Sequence, residues 1–289
     1  MESRRCQLAT MFKRLDPQNP TIAEGADHMK EGDSRLFVFG LEPAVLATAS
    51  GVVAIDKPAG LPTQAPPGID SAETWLRRWL AAGNLSAAIG YEGYVGVPHR
   101  LDRPVSGVLL LAATPRAARK LSRQFERRQI EKTYLAILAA PERSHEGLRL
   151  EQAGTSGLEW RDFVEKIPEE PRARVSVAET ATAREAVTRA RLIKRLADGR
   201  LLVELAPLTG RMHQLRLQAS ARGLPVVGDP LYGGPEGDAA GWAAPPPHDP
   251  RARPIALHAW RIRYTDPDTL APVAIEATPP AFWPAEARA

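Results

Sequence analysis

His99-Arg100-Leu101-Asp102-Arg103-Pro104-Val105-Ser106-Gly107 runs directly into Val108-Leu109-Leu110-Leu111-Ala112-Ala113 and then Thr114-Pro115. The apolar run from Gly107 to Ala113 reads as a strand buried on both faces, because nothing in it alternates with polar residues. Thr114 supplies an N-cap and Pro115 a first-turn proline, which predicts a helix running to about Ile130. Upstream, Gly51-Val52-Val53-Ala54-Ile55 reads as a second buried strand, stopped by Lys57-Pro58 and Gly60. Asp70 and Glu73 have capping-box spacing for a helix through Trp75, Leu76, Trp79 and Leu80, with Gly83 at its end. Downstream, Lys132 to Ala139 reads as a strand, and residues 184–195 and 200–206 flank the hairpin-type turn Asp198-Gly199. Gly210 to Gly223 is helical by the spacing of Met212, Leu215 and Ala219. Strands around Ile255–Tyr264 and Val273–Ala277 follow. Strands outnumber helices without alternating regularly, so the expected fold is α+β: a mixed, largely antiparallel central sheet with flanking helices and loops.

The chain has 289 residues, 44% of them hydrophobic, enough for one large core or two modest ones. Its 27 prolines disfavour a helical bundle. A lone Cys6 excludes a disulfide framework and a cysteine-rich zinc site, and fits a reducing compartment. Apolar runs such as Val108 to Ala113 are far shorter than the ~20 residues of a membrane span, and Met1 to Pro20 has no apolar core of a signal peptide. A cytoplasmic protein with no membrane partner is expected. Residues 1–43 show no sustained period and read as an N-terminal extension, residues 44–285 as one catalytic domain and 286–289 as a tail. Pro245-Pro246-Pro247, amid Gly233–Pro254, marks a loop inside the domain.

The six histidines form no His-Glu-x-x-His or paired Cys/His pattern, and neither a phosphate-cradling nor a dinucleotide glycine loop is present. Neither a metal nor a cofactor is expected. Asp102, between Arg100 and Arg103 and just before the buried strand, is placed to be an ionised, rigid carboxylate; on this segment alone, capping a turn or pairing with a surface arginine is the alternative. Leu208-Thr209-Gly210-Arg211-Met212-His213-Gln214-Leu215-Arg216 would present Arg211, His213 and Arg216 at the start of a packed helix, where a solvated arginine face or a hydrogen-bonded structural histidine is equally compatible.

With these segments the chain resembles the RluA-type pseudouridine synthases. The His99–Gly107 segment matches their His-Arg-Leu-Asp-x-x-Thr-Ser-Gly signature. Lys57-Pro58-Ala59-Gly60 matches a Lys-Pro-x-Gly opening, Lys132-Thr133-Tyr134 a Lys-x-Tyr strand, and Leu208 to Arg216 a Thr-Gly-Arg-x-His-Gln-Leu-Arg block. Gly228-Asp229 with Tyr232-Gly233 matches the Gly-Asp-x-x-Tyr-Gly that follows, all in family order. Val105 departs from the family threonine, losing a hydroxyl that could orient the Asp102 loop, and Leu217-Gln218 replaces the usual Val-His.

The resemblance implies a cofactor-free isomerase that cleaves a uridine's N-glycosidic bond, turns the base and rejoins it through carbon. It implies Asp102 as the catalytic carboxylate, attacking sugar or base or abstracting a sugar proton. It implies Arg216 as the basic partner aiming Asp102, and Tyr134 as the ring stacked on the target base, its phenol in reach of the departing proton. Arg100 becomes the side chain entering the stack the uridine leaves. By residue type alone, Tyr134 also fits a core strand and Arg100 a phosphate clamp. The implied partner is structured RNA, ribosomal or transfer, and the protein is expected to act as a monomer. An RNA-binding or RNA-folding protein keeping the fold is the alternative, with an N-glycosidase behind it, the latter usually showing a second carboxylate.

Charge distribution favours RNA independently. Arg116, Arg119, Lys120, Arg123 and Arg127 recur every three or four positions on one helix face, while Ala118, Leu121 and Phe125 occupy another. Such a stripe would touch RNA backbone without reading sequence, though a solvated face is its commoner meaning. The whole chain carries only +4, whereas residues 96–135 carry nine Lys/Arg against three acids. The excess charge sits where Asp102 does.

Overall fold

The computed structural model of the chain describes residues 41–84, 93–140, 144–233 and 253–288, all within a unit spanning Phe39–Ala289. Most of the expected extension (residues 1–40, with Cys6) and most of the Pro245–Pro247 loop (234–252) lie outside the described residues. In chain order the elements are β1 (Ala44–Ala49), β2 (Val52–Lys57), α1 (Ala72–Ala81), β3 (Ser106–Ala112), α2 (Pro115–Glu126), β4 (Glu131–Leu138), α3 (His145–Ala153), β5 (Leu158–Lys166), β6 (Ala173–Ser176), β7 (Arg184–Arg195), β8 (Leu201–Pro207), α4 (Gln214–Ala221), β9 (Leu257–Thr265) and β10 (Pro272–Glu276). The strands join one sheet in the order β1-β2-β3-β9-β4-β8-β7-β5-β6, with β10 also paired to β9. Every pairing is antiparallel except the short contact of β3 with β9, through Ser106↔His258 and Gly107↔Ala259. The α+β, largely antiparallel sheet expected from the sequence is the one observed.

All seven residues of β3 are buried, as its unbroken apolar run requires. Helix α2 lays Ala117, Ala118 and Leu121 onto the core that holds Val108, Leu110 and Ala112. A second core gathers Leu135–Leu138, Leu201–Val203, Leu257 and Trp283 around β4 and β8. Ala287 is buried in it, so the segment expected as a tail contributes to the packing.

At Gly107 (φ +110°) an added Cβ would lie 2.3 Å from the Ala259 carbonyl oxygen. Only a glycine lets the loop before β3 turn into that strand while touching β9.

Three local expectations need correction. The cap of α1 is Ser71, whose hydroxyl accepts from Thr74 N while Thr74 Oγ1 accepts from Ser71 N. Asp70 instead pairs with Arg78 at 2.7 Å, and Glu73 with Arg77 at 3.4 Å; a buried hydroxyl fits the cap where a carboxylate would be desolvated. Helix α2 ends at Glu126, four residues early. Arg128 takes a left-handed conformation (φ +56°) with its N–H on Phe125 O, and Gln129 N reaches Gln124 O. Those are the two bonds of a Schellman cap, with arginine where glycine is usual. Helix α4 begins at Gln214 rather than Gly210, because the left-handed His213 (φ +50°) and the Gln214 side chain, accepting from Arg211 N, hold 208–213 as a turn.

The sequence reading also omitted β1, α3, β5 and β6. Ser50 and Gly51, both at positive φ, form the two-residue turn pairing Ala49 with Val52. Among the described residues no helix is long and apolar enough to cross a membrane.

Candidate active site

The loop before β3 is pinned from four directions. His99 Nε2 accepts the Leu110 N–H at 2.9 Å, and its ring stacks on Phe125 with centroids 4.4 Å apart. Burial, with Lys132 adding to it, pulls His99 down to about 3, so it is the neutral acceptor this bond needs. Thr63 Oγ1 accepts from Leu101 N at 3.1 Å and donates to Leu101 O at 2.9 Å. Gly60 N donates to Arg103 O at 2.8 Å, and Arg103 Nε to Gly60 O at 2.9 Å. Beneath them Lys57, fully buried, donates to the carbonyls of Pro58, Leu61 and Arg103 at 2.9, 2.8 and 3.3 Å. Burial lowers Lys57 to about 7 against the opposing pull of Asp102 and Asp56. The Lys-Pro-x-Gly segment therefore acts as a clasp for the Asp102 loop. With Val105 N on Asp102 O at 3.0 Å, the loop needs no hydroxyl at Val105, which is buried in the core.

The Asp102 side chain is about one third exposed (32%). Arg216 Nη1 donates to its Oδ2 at 3.2 Å, and His213 Nε2 faces the same oxygen at 3.8 Å. The guanidinium fork does not close on Asp102. Its two-point bond goes to Asp229, with Nε–Oδ2 at 2.7 Å and Nη2–Oδ1 at 2.8 Å, and Asp229 is fully buried. Asp102 receives the remaining arm. Asp229 also accepts from Leu231 N at 3.0 Å. Its part was missed because the sequence showed only a motif match, Gly228-Asp229, without a partner.

The cleft around Asp102 measures about 1190 Å³ and brings together Asp102, Tyr134, Arg216 and Arg100. Tyr134 comes from β4; burial, and then the charge of Asp102, push its phenol well above the ordinary tyrosine value. It stays protonated at neutral pH, which favours a stacking surface over a base. Arg100 is exposed at the rim. Further cations line the cleft: Lys132 on β4 and Arg211 from the quoted motifs, and Arg128 at the end of α2, Lys166 on β5 and Arg189 on β7, which the sequence did not single out. Burial lowers Lys132, so this amine stands poorly solvated and ready for an anion. Glu126 and Glu131 are the lining acids besides Asp102.

The stripe on α2 is placed differently. Arg116, Arg119, Lys120, Arg123 and Arg127 are exposed, and none lines the cleft; Arg116 pairs with Asp268 at 2.9 Å. Gln218, the departure after the arginine block, is fully buried and spends both amide atoms. Its oxygen accepts from Thr188 Oγ1 at 2.6 Å, and its nitrogen reaches Asp162 Oδ2 at 2.7 Å. Among the described residues no group of three or more His, Cys, Asp or Glu side chains could hold a metal ion.

The model of the RNA pseudouridylate synthase family matches residues 51–221, which contain every motif quoted above except Gly228-Asp229 and Tyr232-Gly233. An uncharacterized RNA pseudouridine synthase of Zymomonas mobilis is 36% identical over 197 residues, 67% of this chain and 80% of that protein. The dual-specificity RNA pseudouridine synthase RluA of Yersinia pestis is 31% identical over 78% of this chain and 93% of its own length. The solved structure of human RNA pseudouridylate synthase domain containing 4 shares the fold, with a TM-score of 0.59 at 22% identity over 83% of this chain and 90% of that one. On the family match and on these two relatives, the chain belongs to the RNA pseudouridylate synthase family, enzymes that isomerise uridine in RNA.

Proposed function

We propose that Asp102 is the catalytic carboxylate of a synthase acting on structured ribosomal or transfer RNA. The observation that carries this reading is a carboxylate fixed through one oxygen, Oδ2, to Arg216 at 3.2 Å, on the wall of a cleft shared with Tyr134 and ringed by cations. Oδ1 takes no hydrogen bond from the described residues and is left for the nucleotide. Tyr134 offers its ring to the flipped base, and Arg100 stands at the rim to occupy the gap in the RNA stack. Arg128, Lys132, Lys166, Arg189 and Arg211 supply backbone contacts within the cleft, and the α2 stripe supplies them only to RNA extending past it. The protein works in the cytoplasm as a monomer.

Tritium at uracil C5 is lost when the new carbon–carbon bond forms, so its release from labelled total RNA measures the reaction. Asp102→Asn should abolish release while RNA binding persists. Undiminished release by that variant overturns the assignment of Asp102, whereas absence of release by the parent protein would leave RNA binding or refolding as the activity.

A further inference from the structure

His213 stands at the cap position before α4, yet its side chain makes no capping hydrogen bond. Its left-handed backbone disfavours any L side chain, and a cap residue is normally extended. The turn carries the imidazole sideways between two partners. Nδ1 lies 2.9 Å from the Tyr232 hydroxyl, and Nε2 lies 3.8 Å from Asp102 Oδ2. The Tyr232 oxygen already accepts the Ala173 N–H at 3.0 Å, where β6 begins.

That pattern favours one arrangement of the protons. With its oxygen accepting from Ala173, the phenol has one proton to give, and Nδ1 is its acceptor among the described residues. Nδ1 is then unprotonated, and a neutral ring must carry its hydrogen on Nε2, the edge facing Asp102. Burial, helped by Arg216 and Arg100, opposes a second proton on the ring more than Asp102 and Asp229 favour it. The opposite tautomer would set a lone pair against the carboxylate.

We propose that Tyr232 locks His213 in the Nε2–H tautomer, and that this N–H, together with Arg216, steers Oδ2 of Asp102 so that Oδ1 meets the nucleotide. His213 and Tyr232 are positioning residues on this view, and the proposal rests on Asp102 being the catalytic carboxylate. A small rotation of the partly exposed Asp102 side chain would close the 3.8 Å gap.

Tyr232→Phe removes the hydroxyl and keeps the ring, over which the Arg216 guanidinium carbon lies 5.2 Å from the centroid. The ring ¹⁵N shifts of His213 should report Nε2–H in the parent protein and a mixture of tautomers in the variant. Tritium release, from C5-labelled total RNA of a strain lacking the gene, should fall roughly tenfold in kcat with KM unchanged. His213→Gln presents an amide N–H near the Nε2 position and has no tautomer to lose. In that background Tyr232→Phe should cost less than about twofold. An unchanged tautomer in Tyr232→Phe, or equal losses in both backgrounds, overturns the lock, even if the variant also melts earlier. Release surviving in Asp102→Asn is a separate failure: it removes the catalytic reading and with it the steering, whereas the ¹⁵N shifts judge the tautomer without any turnover.

Discussion

Replacing Arg128 by glycine should strengthen the fold and weaken RNA binding at once. Arg128 is the left-handed residue of the cap that ends α2, and its side chain lines the cleft. Holding an L residue in that conformation costs about 1–2 kcal/mol. Glycine removes the strain but gives back roughly 0.5–1 kcal/mol through its looser unfolded chain. The net gain is then about 0.5–1 kcal/mol, or roughly 2 °C in Tm for a unit of this size. The lost guanidinium removes about one phosphate contact. The slope of log K against log salt should become shallower by ~0.9, with affinity for a generic hairpin RNA falling several-fold near ~0.1 M salt. Differential scanning calorimetry and fluorescence anisotropy across a salt series read the two effects separately. Arg128→Ala is the control: it loses the contact and keeps the strain, so its affinity falls without the gain in Tm. A glycine variant that melts no higher than the parent refutes the cap argument, and one with an unaltered salt slope refutes the contact.

Arg216→Lys should cost about 3 kcal/mol in urea unfolding and at least ~100-fold in tritium release, because one ammonium cannot replace three N–H bonds to two carboxylates and leaves the buried Asp229 short of partners; a loss below ~1 kcal/mol would show the fork to be dispensable. Burial holds His258 at about 4 against the ordinary 6.5, with its Nε2 donating to Ala277 O and its Nδ1 accepting from Ser106. Between those values the unfolded chain binds a proton that the folded one refuses, so stability is complete above about 6.5 and falls as the pH drops toward 4, by up to ~3 kcal/mol. Urea midpoints of His258→Gln should be flatter over that window, and an unchanged slope would assign the acid sensitivity elsewhere. Gly107→Ala drives a Cβ into the Ala259 carbonyl, where no flexible side chain can yield, and should destabilise by more than ~4 kcal/mol; a soluble variant with the parent's urea midpoint would contradict the close approach of β3 and β9.

The sequence made visible what local chemistry decides. The run from Gly107 through Thr114-Pro115 encodes strand, cap and helix within a few residues, and Asp198-Gly199 encodes its hairpin in two. What it concealed depends on distant contacts. Strand β5 carries Glu159, Arg161 and Glu165 around an inward Trp160 and Val164, and it looks polar until β7 pairs with it. The cap of α1 slid from Asp70 to Ser71 because burial selects the hydroxyl, and nothing in the sequence around Asp70-Ser71 marks which of the two is buried. The basic residues show the same division. Helical spacing made the α2 stripe conspicuous, yet those side chains sit outside the cleft. Of the cations that line it, Arg100, Lys132, Arg211 and Arg216 lie in the quoted motifs, whereas Arg128, Lys166 and Arg189 come singly from the end of α2, β5 and β7, each unremarkable among its neighbours. Only the order of the sheet brings them together.

If Asp102 is the catalytic carboxylate, as proposed, the division of Arg216 between two carboxylates explains how it is aimed without both of its oxygens being occupied. A guanidinium that met Asp102 through its full fork would occupy both carboxylate oxygens and block the reacting face. Here the fork is committed to Asp229, which is fully buried, accepts a third bond from Leu231 N and has no route to the cleft's solvent. That pair is desolvated once, on folding, and it fixes the plane of the guanidinium. The remaining Nη1 then points to one oxygen of Asp102 from a support that does not have to reorganise when RNA arrives. The clasp of Lys57, Gly60 and Thr63 does the same for the backbone on the other side of the carboxylate. Asp102 is thereby held at both ends, by carbonyls that fix its loop and by an arginine that fixes one oxygen, while its second oxygen takes no hydrogen bond from the described residues.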